Sequence, residues 1–230
     1  MGISEKAVVL ISGGIDSAVC LWWARKLGLD IFALTFNYHH RNPLEIRAAE
    51  RLAEAAPVKE YRVIGLPFLK EVIDCPPAGL GRYDRNVPDS YVPARNIVFY
   101  GAAAGWAEAL DASWIIGGHN RLDQQQYPDS RPEFIEAMNR AVKLGTFIGG
   151  RKPLSIITPL AVLSKVEVVK MALELSVPLH LTWSCHGNGE KACGHCDACR
   201  LRREAFNRLG IEDPAEYGIN RGGALNNITI

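Results

Sequence analysis

The chain has 230 residues, of which 48% are hydrophobic and 22% charged, so its length and composition fit one globular domain with an appendage better than two full domains. Its formal net charge of +1 excludes a global electrostatic footprint for a nucleic acid, although a local basic patch stays open. No run approaches 18 apolar residues and no leader-like stretch opens the sequence, so we expect a cytoplasmic protein without a membrane partner.

The first predicted element is a buried strand that ends in a glycine turn. A run rich in Val and Ile stops at the pair Gly13 and Gly14, and a helical pattern follows with Asp16 and Ser17 in the N-cap and first-turn positions. Such a junction gathers free backbone N–H groups, and the two glycines carry no side chain to keep an anion away. Phosphate or pyrophosphate is the expected occupant, with an ordinary Gly-Gly turn as the alternative.

The rest of the chain alternates strands and helices, which predicts a Rossmann-like α/β fold with an open parallel five-stranded sheet flanked by helices. Predicted strands cover 31–37, 60–64, 113–118 and the end at 156–160, and predicted helices cover 18–28, 43–56, 96–110, 132–144, 164–175 and 197–208. The stretch 66–93 holds five prolines and, apart from a short turn at 68–72, predicts a long loop, either a lid, which we favour, or a disordered segment. Residues 124–131 predict a polar loop.

Polar side chains follow the second and fourth predicted strands, at the edge where ligands bind in open α/β sheets. Tyr38 and Arg41 follow the second strand, and Asp123 comes soon after the fourth. Arg131 and Glu133 lie at the entry of the next helix, where a guanidinium could hold a carboxylate and Glu133 could accept paired N–H donors from a purine-like ring. Alternatively, Glu133 only makes a favourable interaction with the dipole of this helix.

Lys165 lies at the start of the helix predicted over 164–175. A cation there opposes the helix dipole unless something anionic offsets it. The residue is therefore either part of an anionic site or a solvated surface lysine.

Four of the six cysteines lie within 15 residues, at Cys185, Cys193, Cys196 and Cys199. In a reducing compartment such a cluster favours a metal site over disulfides. Four thiolates suit tetrahedral zinc, and a closed shell leaves no position for water, which predicts one structural Zn²⁺ per chain. An iron–sulfur cluster is the competing interpretation.

Taken together, the motifs resemble one family, the 7-cyano-7-deazaguanine synthases (QueC) of the ATP-pyrophosphatase (PP-loop) superfamily. The matching segments run from residue 7 to about 214 and are SGGIDS at 12–17, VPARN at 92–96, YPD at 127–129, RPEF at 131–134, TPL at 158–160, TWSC at 182–185 and CGHCDAC at 193–199. In this order they are highly specific.

The resemblance implies an ATP-dependent carbon–nitrogen ligase in queuosine or archaeosine biosynthesis. It would convert 7-carboxy-7-deazaguanine and ammonia to 7-cyano-7-deazaguanine through adenylated acid and amide intermediates, with ATP as a substrate, Mg²⁺ as a cofactor and AMP as a product. It also implies an adenine nucleotide alpha hydrolase-like domain at 1–180 and a zinc-binding subdomain at 181–230 packed on it. A homodimer is compatible with the resemblance, and no nucleic-acid partner is expected.

The resemblance also assigns roles to individual residues. Catalytic roles fall to Asp16, Arg95 and Lys165. The nucleotide would lie on Ile11, Ser12, Gly13, Gly14, Ile15, Asp16, Ser17 and Ala18. The deazapurine would lie against Tyr38, Arg41, Asn96, Asp123, Tyr127, Asp129, Arg131 and Glu133.

Two segments depart from the family pattern. The family usually has DYGQRH where this chain has NYHHRN at 37–42, and YSGYPDC where it has QQQYPDS at 124–130. These departures keep open a related ligase that stops at 7-amido-7-deazaguanine or uses a modified deazapurine. A tRNA-modifying PP-loop enzyme and a noncatalytic nucleotide-binding module are further alternatives. The near-zero net charge argues against the first, and the presence of Asp16 and Lys165 argues against the second.

Overall fold

Five parallel strands form one sheet in the spatial order β3-β2-β1-β4-β5. A computed structural model describes residues 4–38, 42–73, 91–187 and 189–218. The strands are β1 Lys6–Leu10, β2 Asp30–Tyr38, β3 Glu60–Leu66, β4 Trp114–Ile116 and β5 Ser155–Ile157. Since β2 and β4 flank β1, the strand order reverses beside β1, and ligands of open α/β sheets bind in the crevice that such a reversal opens.

Helices cover both faces of this sheet. They are α1 Ile15–Lys26, α2 Pro43–Ala55, α3 Phe68–Ile73, α4 Arg95–Ala109, α5 Arg121–Gln126, α6 Pro132–Gly145, α7 Lys165–Glu174 and α8 Asp197–Arg208, with short 3-10 helices at Pro128–Ser130 and Leu179–Leu181. Local sequence explains several of the starts. Asn42 caps α2, with Pro43 in the first turn, and Ser164 forms a capping box with Glu167 at the start of α7.

The core is divided by the sheet, because successive strand residues point to opposite faces. Val9 of β1 belongs to the core that residues of α1, α2, α7 and α8 also form, whereas its neighbour Val8 belongs to the core formed with residues of α4 and α6. Both valines are fully buried, as expected for a central parallel strand.

The structure confirms the five parallel strands and the helices predicted from periodicity, with ends displaced by a few residues. Three local expectations were wrong. The predicted polar loop at 124–131 contains the end of α5 and the 3-10 helix Pro128–Ser130, because Asn120 and Asp123 form a capping box that starts α5. The short turn expected at 68–72 is the helix α3. Gly14, not Asp16, is the N-cap of α1, and Asp16 lies in its first turn.

Two of the expectations concern residues that the structure does not describe, and the expected division into domains stays a prediction. Arg41 and most of the predicted lid, residues 74–90, lie outside the described residues. The division of the chain near residue 180 stays a prediction, and α8 contributes Ala205 and Phe206 to the core that α1 also lines. Within the described ranges, no helix combines the length and apolar character needed to cross a membrane.

Gly13 offers a direct test of how the loop after β1 is packed. Its φ is +89°, and a Cβ at this position would lie 2.2 Å from the backbone oxygen of Glu45. We expect Gly13→Ala to lower the free energy of unfolding by at least about 1–3 kcal/mol, the usual cost of such backbone strain, measured by chemical denaturation.

Gly14→Ala is the matched control for this test. A Cβ at Gly14 would meet its nearest atom, Ser12 Oγ, at 3.5 Å, which is an ordinary contact. Its free energy of unfolding should stay close to that of the parent protein. Equal effects of the two substitutions would contradict the packing described here.

Candidate functional site

The loop between β1 and α1 is braced by two serine hydroxyls. Ser17 Oγ accepts hydrogen bonds from Ser12 N at 3.0 Å and Ser12 Oγ at 3.1 Å, and it donates to Gly14 O at 3.0 Å. The first backbone bond of α1 runs from Ala18 N to Gly14 O. The preceding amides, from Ile15 to Ser17, come before any intrahelical acceptor, so the helix start offers donors to an anion.

The loop is also fixed from outside. Gly13 O accepts a hydrogen bond from Trp183 N at 2.8 Å, and Gly13 packs against the backbone of α2 at Glu45. Asn42, which caps α2, donates from Nδ2 to Gly187 O at 2.5 Å. The start of α2 and the segment around Trp183 therefore hold the loop in one position.

Asp16 and Lys165 meet in this site although 149 residues separate them in the sequence. Lys165 Nζ lies 2.5 Å from Asp16 Oδ2, and the two side chains are 19% and 23% exposed. Asn120 Nδ2 approaches Asp16 Oδ1 at 3.4 Å. Lys165 is thus not a solvated surface lysine, because Asp16 supplies the anion that its place at the start of α7 requires.

Asp123 lies on the β4 side of the same site. Its carboxylate accepts from Asn120 N at 2.9 Å and completes the capping box of α5. Burial, reinforced by the charge of Asp16, raises the pKa of Asp123 to about 6. This carboxyl group therefore has both a structural contact and an unusual affinity for a proton.

His119 lies next to these groups and was not among the predicted site residues. Burial, with a further contribution from Arg95, lowers the pKa of His119 to about 4, so the imidazole is neutral at pH 7. Its ring packs edge-on against Tyr100, with ring centroids 5.9 Å apart. The sequence signal was its position just past β4, which a single histidine shares with many structural residues.

A second wall of the site begins at α4. Arg95 Nη1 donates to the Tyr38 hydroxyl at 3.3 Å. Arg95 Nε is buried and has no hydrogen-bond partner among the described residues, and the same is true of the Tyr100 hydroxyl. A buried unpaired donor is costly, so these atoms mark a place where a ligand or water can bind. Tyr100 was not predicted either, since its alanine-rich helix indicated only packing.

Asn96 and Asp129 are brought together by mutual hydrogen bonds. Asp129 Oδ2 accepts from Asn96 N at 3.2 Å, and Asn96 Nδ2 donates to Asp129 O at 2.9 Å. Both residues are buried. They join the start of α4 to the 3-10 helix at Pro128–Ser130, and so position Arg95 relative to Tyr127.

The outer part of the wall is more exposed. Tyr127 is half-buried, whereas Arg131 and Glu133 are exposed at the start of α6. Arg131 Nε donates to Gln124 O at 3.3 Å. These three residues lie on the segment that runs from α5 into α6, and Glu133 lies in the first turn of α6, as the dipole alternative also requires.

The four clustered cysteines form a separate centre. Their Sγ atoms all lie within 4.8 Å of one another, with Cys193 and Cys199 4.0 Å apart. A tetrahedral zinc site with bonds of about 2.3 Å has sulfur atoms about 3.8 Å apart, so the set fits a four-coordinate ion. Backbone amides of Gly187 and Cys193 each donate to Cys185 Sγ at 3.2 Å, which favours the thiolate form that a metal needs.

Sequence reasoning also missed a buried ion pair beside this centre. Arg202 is 2% exposed, and its Nε and Nη2 donate to Asp213 at 2.9–3.0 Å. Arg202 also donates to Thr182 Oγ1 and Leu179 O, and Tyr217 donates to Asp213. This network ties α8 to the segment before Cys185, and no periodicity in the tail after residue 210 could have indicated it.

Comparison with known proteins shows the family of this chain. The family model described as "Queuosine biosynthesis protein QueC" matches residues 6–210. The chain belongs to the QueC family. One relative is the 7-cyano-7-deazaguanine synthase from Thermoplasma acidophilum, which is 43% identical over 93% of this chain and 92% of the relative. Another is the 7-cyano-7-deazaguanine synthase from Acetivibrio thermocellus, which is 45% identical over 93% of this chain and 98% of the relative.

Solved structures share the fold of this QueC-family chain. An NMN synthetase from Francisella tularensis superposes with a TM-score of 0.55 at 20% identity, covering 91% of this chain and 79% of the other. A predicted tRNA methyltransferase subunit from Methanocaldococcus jannaschii superposes with a TM-score of 0.51 at 18% identity, covering 94% of each chain. At such identities the likeness concerns the sheet and its helices alone.

Cys196→Ala tests the cysteine centre. With one ligand lost, we expect bound metal to fall well below one equivalent and the thermal unfolding temperature to drop, because metal binding is coupled to local folding. Metal content would be measured by mass spectrometry and unfolding by calorimetry.

Cys20→Ala is the matched control, because Cys20 is buried in the main core and lies outside the cluster. It should keep the metal content of the parent protein. If chelation of the parent protein left its unfolding temperature unchanged, the structural role of the metal would be contradicted.

Proposed function

We propose that this chain is an ATP-dependent carbon–nitrogen ligase that converts 7-carboxy-7-deazaguanine and ammonia to 7-cyano-7-deazaguanine. The observation that carries the proposal is its identity of 39–45% to synthases of that name along more than nine-tenths of each chain. The braced loop and the contact between Asp16 and Lys165 supply a site suited to the required chemistry. The product would serve queuosine or archaeosine biosynthesis.

The nucleotide would bind at the start of α1. The stretch from Ile11 to Ala18 surrounds the amides that precede the first intrahelical bond, and these amides suit the phosphates of ATP. Lys165 adds a positive charge, and Asp16 is the candidate to hold Mg²⁺ directly or through water. A bound Mg²⁺ would neutralise phosphate charge, and the loop amides and Lys165 would orient the chain of phosphates.

The deazapurine acid would bind on the α4 side. Arg95 offers a buried Nε donor that has no hydrogen-bond partner in the described part of the chain, which suits a carboxylate. Tyr38 orients this guanidinium, and Asn96 and Asp129 fix its helix. Further contacts are proposed from residues that surround this wall, namely Asp123, Tyr127, Arg131 and Glu133, with Arg41 as an additional candidate from the sequence.

The reaction needs no enzyme nucleophile. The substrate carboxylate attacks the α-phosphorus of ATP, an O–P bond forms, and pyrophosphate leaves. Ammonia then attacks the acyl carbon, loses a proton and displaces AMP to give the amide. The amide oxygen attacks a second ATP in the same way, and loss of two N–H protons with AMP leaves the nitrile. Asp16, Arg95 and Lys165 act by positioning and charge neutralisation.

The cysteine centre would hold one structural Zn²⁺. Its four thiolates complete a tetrahedral shell, and the ion would stabilise the segment that donates from Trp183 N to Gly13 O. Zinc therefore supports the nucleotide loop from a distance. We further propose that the protein is cytoplasmic, acts on small molecules without a nucleic-acid partner and forms a homodimer.

Three of the residues that depart from the family pattern make contacts with the backbone of the chain. Gln124 Nε2 donates to Ala161 O at 2.7 Å, and Ser130 Oγ donates to Asp123 O at 2.8 Å. Asn42 caps α2. These side chains are engaged with the backbone, so their departure from the pattern does not require a change in chemistry. The named relatives likewise do not favour an enzyme that stops at the amide.

The proposal is tested by incubating the protein with ATP, ammonium and 7-carboxy-7-deazaguanine, and following the products by mass spectrometry. We expect 7-cyano-7-deazaguanine with two AMP for each nitrile. Accumulation of 7-amido-7-deazaguanine with one AMP would instead support the alternative ligase. Absence of AMP under every condition would contradict the proposal that the protein is a ligase.

Two variants accompany this assay, Asp16→Ala as the test and Lys26→Ala as its control. Asp16→Ala should reduce AMP formation by at least about a hundredfold, because it removes a group placed beside the reacting phosphates. Its zinc content should stay that of the parent protein, and it should still fold and unfold cooperatively, with a lower free energy of unfolding because Lys165 loses its partner. Lys26→Ala, at the far end of α1, should retain full AMP formation.

A further inference from the structure

His119 lies between the start of α1 and the helix α4. Gly118, the residue before it, packs on the first turn of α1, since a Cβ at Gly118 would lie 3.2 Å from the carbonyl carbon of Asp16. Asn120, the residue after it, donates from Nδ2 to Asp16 Oδ1 at 3.4 Å. On the other side, the imidazole packs edge-on against Tyr100 of α4. His119 therefore lies between the proposed positions of the phosphates and of the acid.

The imidazole of His119 is available to a ligand. The residue is half-buried, so part of it can be reached from outside. Among the described residues, neither ring nitrogen has a hydrogen-bond partner, because the contact with Tyr100 is one between rings. Arg95 Nε, on α4, is a second polar group that has no partner in the described ranges. Both groups are therefore left for a ligand or for water.

Charges on both sides of His119 reach its ring. Burial lowers the pKa of His119, Arg95 lowers it further, and Asp16 raises it. The ring is thus within electrostatic reach of the guanidinium, and it stays uncharged at pH 7. A neutral imidazole has one N–H donor and one acceptor nitrogen. His119 can therefore donate one hydrogen bond to a ligand without adding a positive charge to the site.

An uncharged donor suits the carboxylate of the proposed reaction. The carboxylate must be held in place and yet keep enough negative charge to attack the α-phosphorus. Arg95 supplies one positive charge, whereas the charge of Lys165 is already paired with Asp16. A hydrogen bond from a neutral N–H fixes one carboxylate oxygen without a second positive charge, and it leaves the other oxygen to attack.

We propose that His119 donates its ring N–H to one oxygen of the substrate carboxylate and, together with Arg95, directs the other oxygen to the nucleotide. His119 is then a specificity-determining residue, because a ring without a carboxylate gains nothing from it. The inference rests on the proposed function for the identity of the acid. Arg95 selects the carboxylate by its charge, whereas His119 fixes its direction.

The test measures equilibrium binding by titration calorimetry, with 7-carboxy-7-deazaguanine, unsubstituted 7-deazaguanine and ATP as separate probes. His119→Leu removes the donor, and His119→Gln keeps an N–H donor on a neutral side chain. We expect His119→Leu to weaken binding of the acid about tenfold or more, the usual effect of losing a hydrogen bond to a charged group. His119→Gln should bind the acid within about threefold of the parent protein, because the donor is kept.

Binding of the other two probes separates recognition of the carboxylate from a structural role. The affinities of His119→Leu for 7-deazaguanine and for ATP should change less than about twofold. His180→Leu is the matched control, because His180 is exposed on the 3-10 helix Leu179–Leu181, and it should bind the acid like the parent protein. Normal binding of the acid by His119→Leu, or an equal loss of affinity for all three probes, would overturn the proposal.

The failure of this proposal can be told apart from the failure of the proposed function. If the parent protein binds the acid but forms no AMP, the proposed function fails, and the titrations of the variants still decide the role of His119. If AMP forms and His119→Leu binds the acid normally, only the role of His119 is overturned. If the parent protein does not bind the acid, both proposals fail.

Discussion

The ion pair between Asp16 and Lys165 is the contact on which the arrangement of the site depends. It joins the first turn of α1 to the first residue of α7, across the point where the strand order reverses. A lysine at a helix start opposes the dipole, and an aspartate at a helix start is favoured by it. Their contact at 2.5 Å lets a positive charge lie beside an anion-binding helix start, where the phosphates of ATP would need it.

The same loop is supported from the opposite side by the C-terminal part of the chain. Trp183 N binds Gly13 O, and Asn42 binds Gly187 O, so the segment that leads into the cysteine centre touches both the loop and the start of α2. The buried pair of Arg202 and Asp213 fixes this segment to α8. The segment that leads into the cysteine centre is therefore held between the loop after β1, the start of α2 and α8.

Most of the fold could be predicted from the sequence, because a parallel sheet of apolar strands and amphipathic helices leaves a strong periodic signal. The loop at Gly13 and the four clustered cysteines were equally predictable, since each is local in sequence. Contacts between residues that are far apart in the sequence could not be predicted. The contact of Lys165 with Asp16 and the neutral state of His119 depend on an arrangement and a burial that only the folded chain creates. The roles of the substrate-side residues stay predictions.

In the proposed reaction, a substrate oxygen attacks the α-phosphorus of ATP on the loop at Gly13. Isotope transfer from 7-carboxy-7-deazaguanine, labelled with ¹⁸O in both carboxylate oxygens, reports on this attack. Mass spectrometry of the products should find one labelled oxygen in each of the two AMP molecules formed for every nitrile, and none in pyrophosphate. Label in pyrophosphate or orthophosphate, or AMP without label, would show that the oxygen does not attack the α-phosphorus.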